Sequence, residues 1–320
     1  MQIVSKMDAT GRMKMLMNVT PVAILIYRRA ELVRGLIDRL RMSRPKKIWI
    51  IADGPKKEGE NDLCSAARQE AESGITWECE VTKVYADKNL GLKDRVETGL
   101  DELFAHESSA IILEEDCHPS EDFIPFCQEM LDRYRNEAKV GGISGDCFLP
   151  KEVKLHGDYF FSRYMHIWGW ATWARTWKAY RQKPWTWPCA GYREYYPECG
   201  QDEFLYWERV FARVQRGEIH SWDYPWISSF WKDGLVSITP AQNLVRNVGF
   251  GADATNTQDE TAQTGMEREA SLDAPFIGPK EICADVDLDR QTFRNHLLRQ
   301  EGKLSFWRRI RRSVLKRVRT

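Results

Sequence analysis

The run Ala110-Ile111-Ile112-Leu113-Glu114-Glu115-Asp116 is four apolar residues closed by three carboxylates. A short apolar run of this kind reads as a strand buried on both faces. Carboxylates that follow it directly stand at the strand's carboxyl end, the edge at which open α/β sheets hold their ligands. Three neighbouring acids offer hard oxygen donors. Such donors suit Mg²⁺ or Mn²⁺, and those ions commonly hold the phosphates of nucleotides. The same residues are also compatible with a strand that ends in a solvated acidic turn. The flanking segments decide between the two.

Toward the N-terminus, Val22–Tyr27 reads as a buried strand and Glu31–Met42 as a helix with Leu32, Leu36, Ile37 and Leu40 on one face. Lys47–Ala52 is a second strand, ended by the turn signal Asp53-Gly54-Pro55. Asp62–Glu72 reads as a helix, Glu78–Tyr85 as an alternating strand, and Lys93–Phe104 as a helix with Val96, Leu100, Leu103 and Phe104 facing inward. Toward the C-terminus, Pro119-Ser120 is expected to open a helix striped by Phe123, Phe126, Cys127, Met130, Leu131 and Tyr134. Val140–Phe148 is expected to be a further strand. This alternation predicts an α/β chain with a mostly parallel sheet flanked by helices.

After residue 150 the composition changes. Ten of the thirteen tryptophans fall between Trp168 and Trp231, and Glu203–Arg216 is the clear helix there. Tryptophan faces can stack on sugar rings, and they also fill cores. Gly251–Asp273, rich in Thr, Ala, Asp, Glu and Gln, is expected to be a mobile loop.

The chain has 47 basic and 47 acidic residues, so no overall basic footprint argues for nucleic acid. The balance conceals an asymmetry. Residues 308–320 hold seven basic residues and no acid, which leaves 40 basic against 47 acidic in the remainder. Residues 304–319 place Trp307, Ile310, Val314 and Val318 on one side, the pattern of a basic amphipathic helix. Such a helix can lie on an anionic membrane surface, each Lys or Arg contributing about 1 kcal/mol. A packed or solvated terminal helix is the plainer alternative. Eight cysteines occur with no C-x-x-C pair, which argues against a zinc site and for a reducing compartment. Neither a signal peptide nor a membrane-spanning stretch is read.

Several residues fall at the same predicted sheet edge as the acids. Arg29 follows the first strand, and its planar fork suits a diphosphate. Asp53 ends the second strand, where a carboxylate can accept from a base N–H or a ribose hydroxyl. Lys88-Asn89-Leu90-Gly91-Leu92-Lys93 opens a helix, and a helix N-terminus with Lys93 suits an anion. Asp146 ends a strand and can reach sugar hydroxyls; it also suits a turn, as does Asp53. His118 is a candidate ligand or a loop residue. No Walker loop and no G-x-G-x-x-G is present, which argues against ATPases and NAD enzymes.

Arg29, Asp53, the Asn89-Leu90-Gly91 turn and Glu114-Glu115-Asp116, in this order, resemble a GT-A fold glycosyltransferase. The likeness is to family 2 enzymes and more so to the N-acetylglucosaminyltransferase I type, whose acidic motif is Glu-Asp-Asp. It spans about residues 20–260. It implies that Asp53 reads uracil, Arg29 touches the diphosphate and Asp116 binds Mn²⁺ or Mg²⁺. Glu114 and Lys93 belong to the donor side, and Glu115, standing for the family's Asp, approaches the ribose or sugar. Trp222-Asp223-Tyr224-Pro225-Trp226 resembles that family's Trp-Asp-Asp-Trp segment, which implies Asp223 as the general base. Bacterial relatives commonly carry a block like Trp168-Gly169-Trp170-Ala171-Thr172-Trp173 as well. Asp202 and Glu203 remain rivals for the base, since an acidic pair before a helix fills that role in many family 2 enzymes; helix capping explains them equally. Trp168 and Trp226 are candidates for the acceptor site.

The expected organisation is a lead-in over 1–19 and a GT-A domain over 20–250, with a nucleotide-sugar half (20–150) and a Trp-rich acceptor half (151–250). An extension (251–303) and the basic helix (304–320) follow. The resemblance implies an inverting transfer from a UDP-sugar to a glycan or lipid-linked acceptor in bacterial surface polysaccharide synthesis. It further implies a cytoplasmic protein, peripheral on the inner face of the plasma membrane. A sugar-phosphate nucleotidyltransferase is the first alternative, although Tyr27-Arg28-Arg29-Ala30-Glu31 lacks the Gly-rich loop it needs. An inactive carbohydrate-binding scaffold is the second.

Overall fold

The computed structural model describes residues 19–182, 184–249, 271–272 and 274–298, with two short paired strands, β1 (Lys6–Met7) and β2 (Met13–Lys14). The expected lead-in and extension are therefore described only in part, and residues 250–270 and 304–320 lie outside the described residues.

The first half alternates as the apolar pattern dictates. In β3 (Val22–Ile26) every residue is buried, because Val22, Ile24 and Ile26 pack into one core and Ala23 and Leu25 into another. α1 (Ala30–Ser43) buries Val33, Leu36, Ile37 and Leu40. It stops at Arg44, which takes a left-handed φ of 46° and returns its N–H to the Leu40 carbonyl, with Pro45 next. β4 (Lys47–Ala52), α2 (Asn61–Gly74), β5 (Glu80–Tyr85), α3 (Leu92–His106) and β6 (Ser109–Glu114) follow.

Two expectations are corrected at this point. Pro119 does not open a helix: Cys117–Pro119 forms β7, and Pro119 pairs with Val245 of β12 (Val245–Asn247). The ribbon partner comes from far along the chain, out of reach of a local signal. α4 (Phe123–Arg133) starts four residues after Pro119 and buries the predicted stripe. β8 (Val140–Ser144) is shorter than expected, because Gly145 and Cys147 direct their N–H groups to Gly169 O and Asn243 Oδ1 and leave the sheet.

The second half adds β9 (Tyr159–Ser162), β10 (Trp170–Trp173), α5 (Ala174–Arg181), α6 (Gln201–Gln215), α7 (Asp223–Lys232) and β11 (Val236–Pro240). A short α8 (Val286–Thr292) packs back on β9. One eight-stranded sheet runs β5-β4-β3-β6-β10-β8-β11-β9. β3 to β6 are mutually parallel, and β10 lies antiparallel between β6 and β8. Strands of both expected halves thus share one sheet.

Helices cover both faces. α1, α2 and α4 enclose one core. α3, α5, α6 and α7 enclose the other, which holds Trp170, Trp177, Trp207, Trp222, Trp226 and Trp231. All eight cysteines are free. Among the described residues no helix is long and apolar enough to cross a membrane.

Candidate functional site

From β3 the chain proceeds outward to β4 and β5, then returns to place β6 on the other side of β3. This reversal makes the carboxyl ends of β3 and β6 a switch point, where two loops part and leave a crevice. Arg29 follows β3 and the acids follow β6, so the topology brings them together. Arg29 Nε donates to Glu115 Oε1 at 2.6 Å, and Nη2 donates to Asp116 Oδ2 at 2.8 Å. Glu115 Oε2 also accepts the Tyr27 N–H at 2.7 Å. Glu115 is buried; burial pushes its pKa up, and Arg29 opposes that shift.

Asp116 is held from the other side by β12. Its carbonyl accepts Val248 N–H at 2.8 Å, and Gly249 passes so close that a Cβ there would stand 2.1 Å from Asp116 Oδ2. A side chain at 249 would therefore displace the Asp116 carboxylate.

Two further acids join this edge from distant segments. Burial, then the charges of Asp116, Asp223 and Glu115, push the Glu114 carboxyl up to about 8, with Arg29 opposing. Asp223 follows Trp222, which stacks on Trp170, the strand partner of Ile112, and so comes to the Glu114 end of β6. It begins α7 and accepts a hydrogen bond from Ser221 Oγ; burial raises its pKa. Asp146 is buried just after β8, whose Ser144 lies level with Ile112 of β6 across β10, so it belongs to the same carboxyl edge.

The other predicted residues divide. Asp53 is buried and saturated: Oδ1 accepts from Gly54 and Leu90 N–H, and Oδ2 from Asn89 Nδ2 and Gly91 N–H, at 2.8–3.1 Å. It builds the Asn89-Leu90-Gly91 turn, in which Gly91 takes a φ of +82° before α3. Lys93 is exposed in the first turn of α3. Asp202 is exposed in the first turn of α6. Glu203 is buried, with Oε1 bonded to Tyr164 OH, Tyr192 OH and, at 2.8 Å, Arg163 Nη2. Trp226 is fully buried against Trp170, Trp177 and Tyr180, so it presents no face to a ligand. Trp168 is partly buried and packs edge-on against Phe148. His118 lies on β7, opposite Arg246.

A cleft of about 640 Å³ is lined by Lys93, Glu97, Arg181, Ser221 and Pro225 among others, the last two being neighbours of Asp223 in the sequence. Tyr180 and Trp185 line it. This volume is in the ordinary range for small-ligand sites. Ser221, Tyr180 and Trp185 carry no individual signal in the sequence, although Ser221 lies two residues before the candidate base.

Among the described residues no three His, Cys, Asp or Glu side chains converge as a ready metal cage. A divalent ion nonetheless fits the donor set. Repulsion among Glu114, Asp116 and Asp223 is what a cation relieves, and Mg²⁺-type sites commonly use one or two carboxylates plus substrate phosphates. Asp116 is the residue that would hold it, sharing its carboxylate with Arg29.

No family model matches the chain, and no curated protein matches it. Among solved structures it is similar to the mannosyltransferase PcManGT from Pyrobaculum calidifontis in complex with GDP-Man and Mn²⁺. The identity is 15% and the TM-score 0.36, over 68% of this chain and 69% of that one. It is also similar to HddC from Yersinia pseudotuberculosis complexed with GMP-PN, at 9% identity and a TM-score of 0.31, over 51% of this chain and 80% of the other. The helix-flanked sheet, parallel across β3 to β6, agrees with the expected α/β architecture. Likenesses this distant carry no argument about activity, which is argued from the edge residues.

Proposed function

We propose that this chain is an inverting glycosyltransferase that moves a sugar from a UDP-type donor to a glycan or lipid-linked acceptor. The observation that supports this most is the meeting of Arg29, Glu114, Asp116 and Asp223 at the β3/β6 switch point, although Asp223 comes from the other half of the chain.

Mn²⁺ or Mg²⁺ held by Asp116 and the donor phosphates would stabilise the charge on the departing diphosphate. Arg29 spends Nε and Nη2 on Glu115 and Asp116, which leaves Nη1 for a phosphate oxygen. Lys93 and the first-turn amides of α3 add a second cationic wall. Asp223 takes the proton of the acceptor hydroxyl, whose oxygen then bonds the anomeric carbon on the face opposite the leaving group. The raised pKa of Asp223 brings it nearer the working range of a general base, a role that typically contributes about 10²–10⁴-fold. The acceptor enters through the cleft that Lys93 and Ser221 help line, with Tyr180 and Trp185 against its rings. Glu203 is less suited to the base role, because burial and three bonded partners occupy it. Surface polysaccharide assembly at the inner face of a plasma membrane fits the basic segment 304–320.

The test is product analysis with a panel of nucleotide sugars, with Mn²⁺ or with EDTA. UDP release that needs the metal supports the reading. Pyrophosphate production would point to a nucleotidyltransferase, and neither product to a binding module.

A further inference from the structure

Two buried polar groups beside the acidic edge lack partners, and their chemistry is complementary. Asp146 Oδ1 and Asn243 Nδ2 make no hydrogen bond, to each other or to any other group. Asp146 is 1% exposed and Asn243 7%. Buried groups of this kind are costly, on the order of 1–3 kcal/mol each, so each calls for an explanation.

The fold brings them to one place on purpose-built backbone. Leu244 N–H bonds to Gly145 O at 2.8 Å, and Cys147 N–H bonds to Asn243 Oδ1 at 2.8 Å. These two bonds bracket Asp146 and fix the orientation of the Asn243 amide, since Oδ1 is committed and Nδ2 is not. Gly145 is also tied to Gly169 at the start of β10. Trp170 of β10 pairs with Ile112 on one side and with Ser144 on the other, so Asp146 follows β8 at about the level of Glu114, two strands away at the same carboxyl edge. The unpaired acceptor and donor therefore stand at the edge that would hold a donor, set to one side of its diphosphate.

We infer that Asp146 and Asn243 form a subsite for one ring hydroxyl of the donor's sugar, Asp146 Oδ1 accepting its O–H and Asn243 Nδ2 donating to its oxygen. This rests on the nucleotide-sugar reading above and deepens it by naming the group recognised. A single hydroxyl satisfies both groups at once, because it has one donor and two lone pairs. A sugar without that hydroxyl leaves two buried groups unpaired, and sites of this design discriminate strongly against the deoxy analogue. A trapped water would also satisfy both groups, and the experiment separates the cases.

The experiment is calorimetric titration in Mn²⁺ with UDP-glucose, UDP-galactose, UDP-N-acetylglucosamine and GDP-mannose, each beside its free nucleoside diphosphate. Two variants are compared with the wild type. Asn243→Asp keeps the acceptor for Cys147 N–H and deletes only the donor; Asp146→Ala deletes the acceptor. For the sugar with the largest gain over its own nucleotide, each variant should lose about tenfold or more of that gain. Affinity for the free nucleotide should stay within about twofold. The deoxy counterpart of that sugar should bind wild type and variants alike. Variants that keep the full sugar gain show that water satisfies the pair and overturn the inference. So does an equal loss for the free nucleotide, which would mean the pair only shapes the edge. A wild type that binds none of the nucleotides overturns the transferase reading itself, and this inference with it.

Discussion

Arg29 holds two carboxylates with one guanidinium, and that arrangement makes Asp116 sensitive to small displacements. Asp116→Ala should abolish the Mn²⁺-dependent rise in melting temperature that UDP produces, while leaving the metal-free melt near wild type; an unchanged rise would remove Asp116 as the metal residue. Gly249 supplies a subtler probe. A methyl group there meets Asp116 Oδ2 at 2.1 Å, far inside contact distance. Gly249→Ala should therefore turn Asp116 aside and weaken UDP–Mn²⁺ binding by about tenfold, or about 1.4 kcal/mol, without unfolding the chain. Equal affinity in the titration would show that the loop yields instead. Asp223→Asn should keep UDP affinity and lose about 10²–10⁴-fold in turnover; an active variant would return the base role to Asp202 or Glu203. At this scale the sequence is informative where position along a strand is enough. Arg29 and Asp116 are legible as edge residues because β3 and β6 are plain apolar runs. Their mutual ion pair is not, since loop side chains choose partners by a few ångströms. Asn243 follows Gln242 in a short polar turn, and nothing in its neighbours marks it.

The elements show why some residues read as functional are structural. Trp226 belongs to α7 and is enclosed by Trp170, Trp177, Tyr180 and Phe230. α8 is fastened by Asp289, which accepts Ser162 Oγ at 2.5 Å and Arg163 N–H at 3.1 Å. The turn after it stacks His296 on Phe148 at 3.6 Å and bonds Asn295 Nδ2 to Phe148 O. That turn braces the loop that carries Asp146. Burial, with the charge of His166 adding to it, holds His296 down to about 3. A base whose folded pKa is depressed gives stability that is present above its unfolded value of 6.5 and lost as the pH falls below it. His296→Phe keeps a ring for the stack and removes the proton uptake. Its unfolding free energy relative to wild type, read from denaturant melts, should rise steadily as the pH falls from 6.5 to 5, by at most about 1.4 kcal/mol per pH unit. A constant difference across that range would mean that His296 is already solvated. Helices such as α1 and α4 were legible because one face is apolar at helical spacing. β10 was not: Trp170–Trp173 is buried throughout, so it lacks the alternation that marks a strand, and its role depends on a gap between β6 and β8 that only the folded sheet defines.

At the scale of the whole molecule, the α/β order of the first half is local and readable, whereas the joining of both halves in one sheet depends on long-range pairing. Charge distribution, however, needs no fold. The chain outside residues 308–320 has 40 basic against 47 acidic residues, so that part is repelled by an anionic surface, while the terminal segment carries seven cations and Trp307, Ile310, Val314 and Val318. Membrane binding, if the acceptor is lipid-linked, must then reside in that segment. The full chain should sediment with vesicles of phosphatidylglycerol at low ionic strength and be released as salt shortens the screening length to about 8 Å near 0.15 M. A chain ending at residue 303 should not sediment, yet should release UDP from a soluble donor at the full rate. Equal sedimentation of the two chains would place membrane contact elsewhere, and salt-resistant sedimentation of the full chain would assign it to the apolar residues of the segment rather than to its charge.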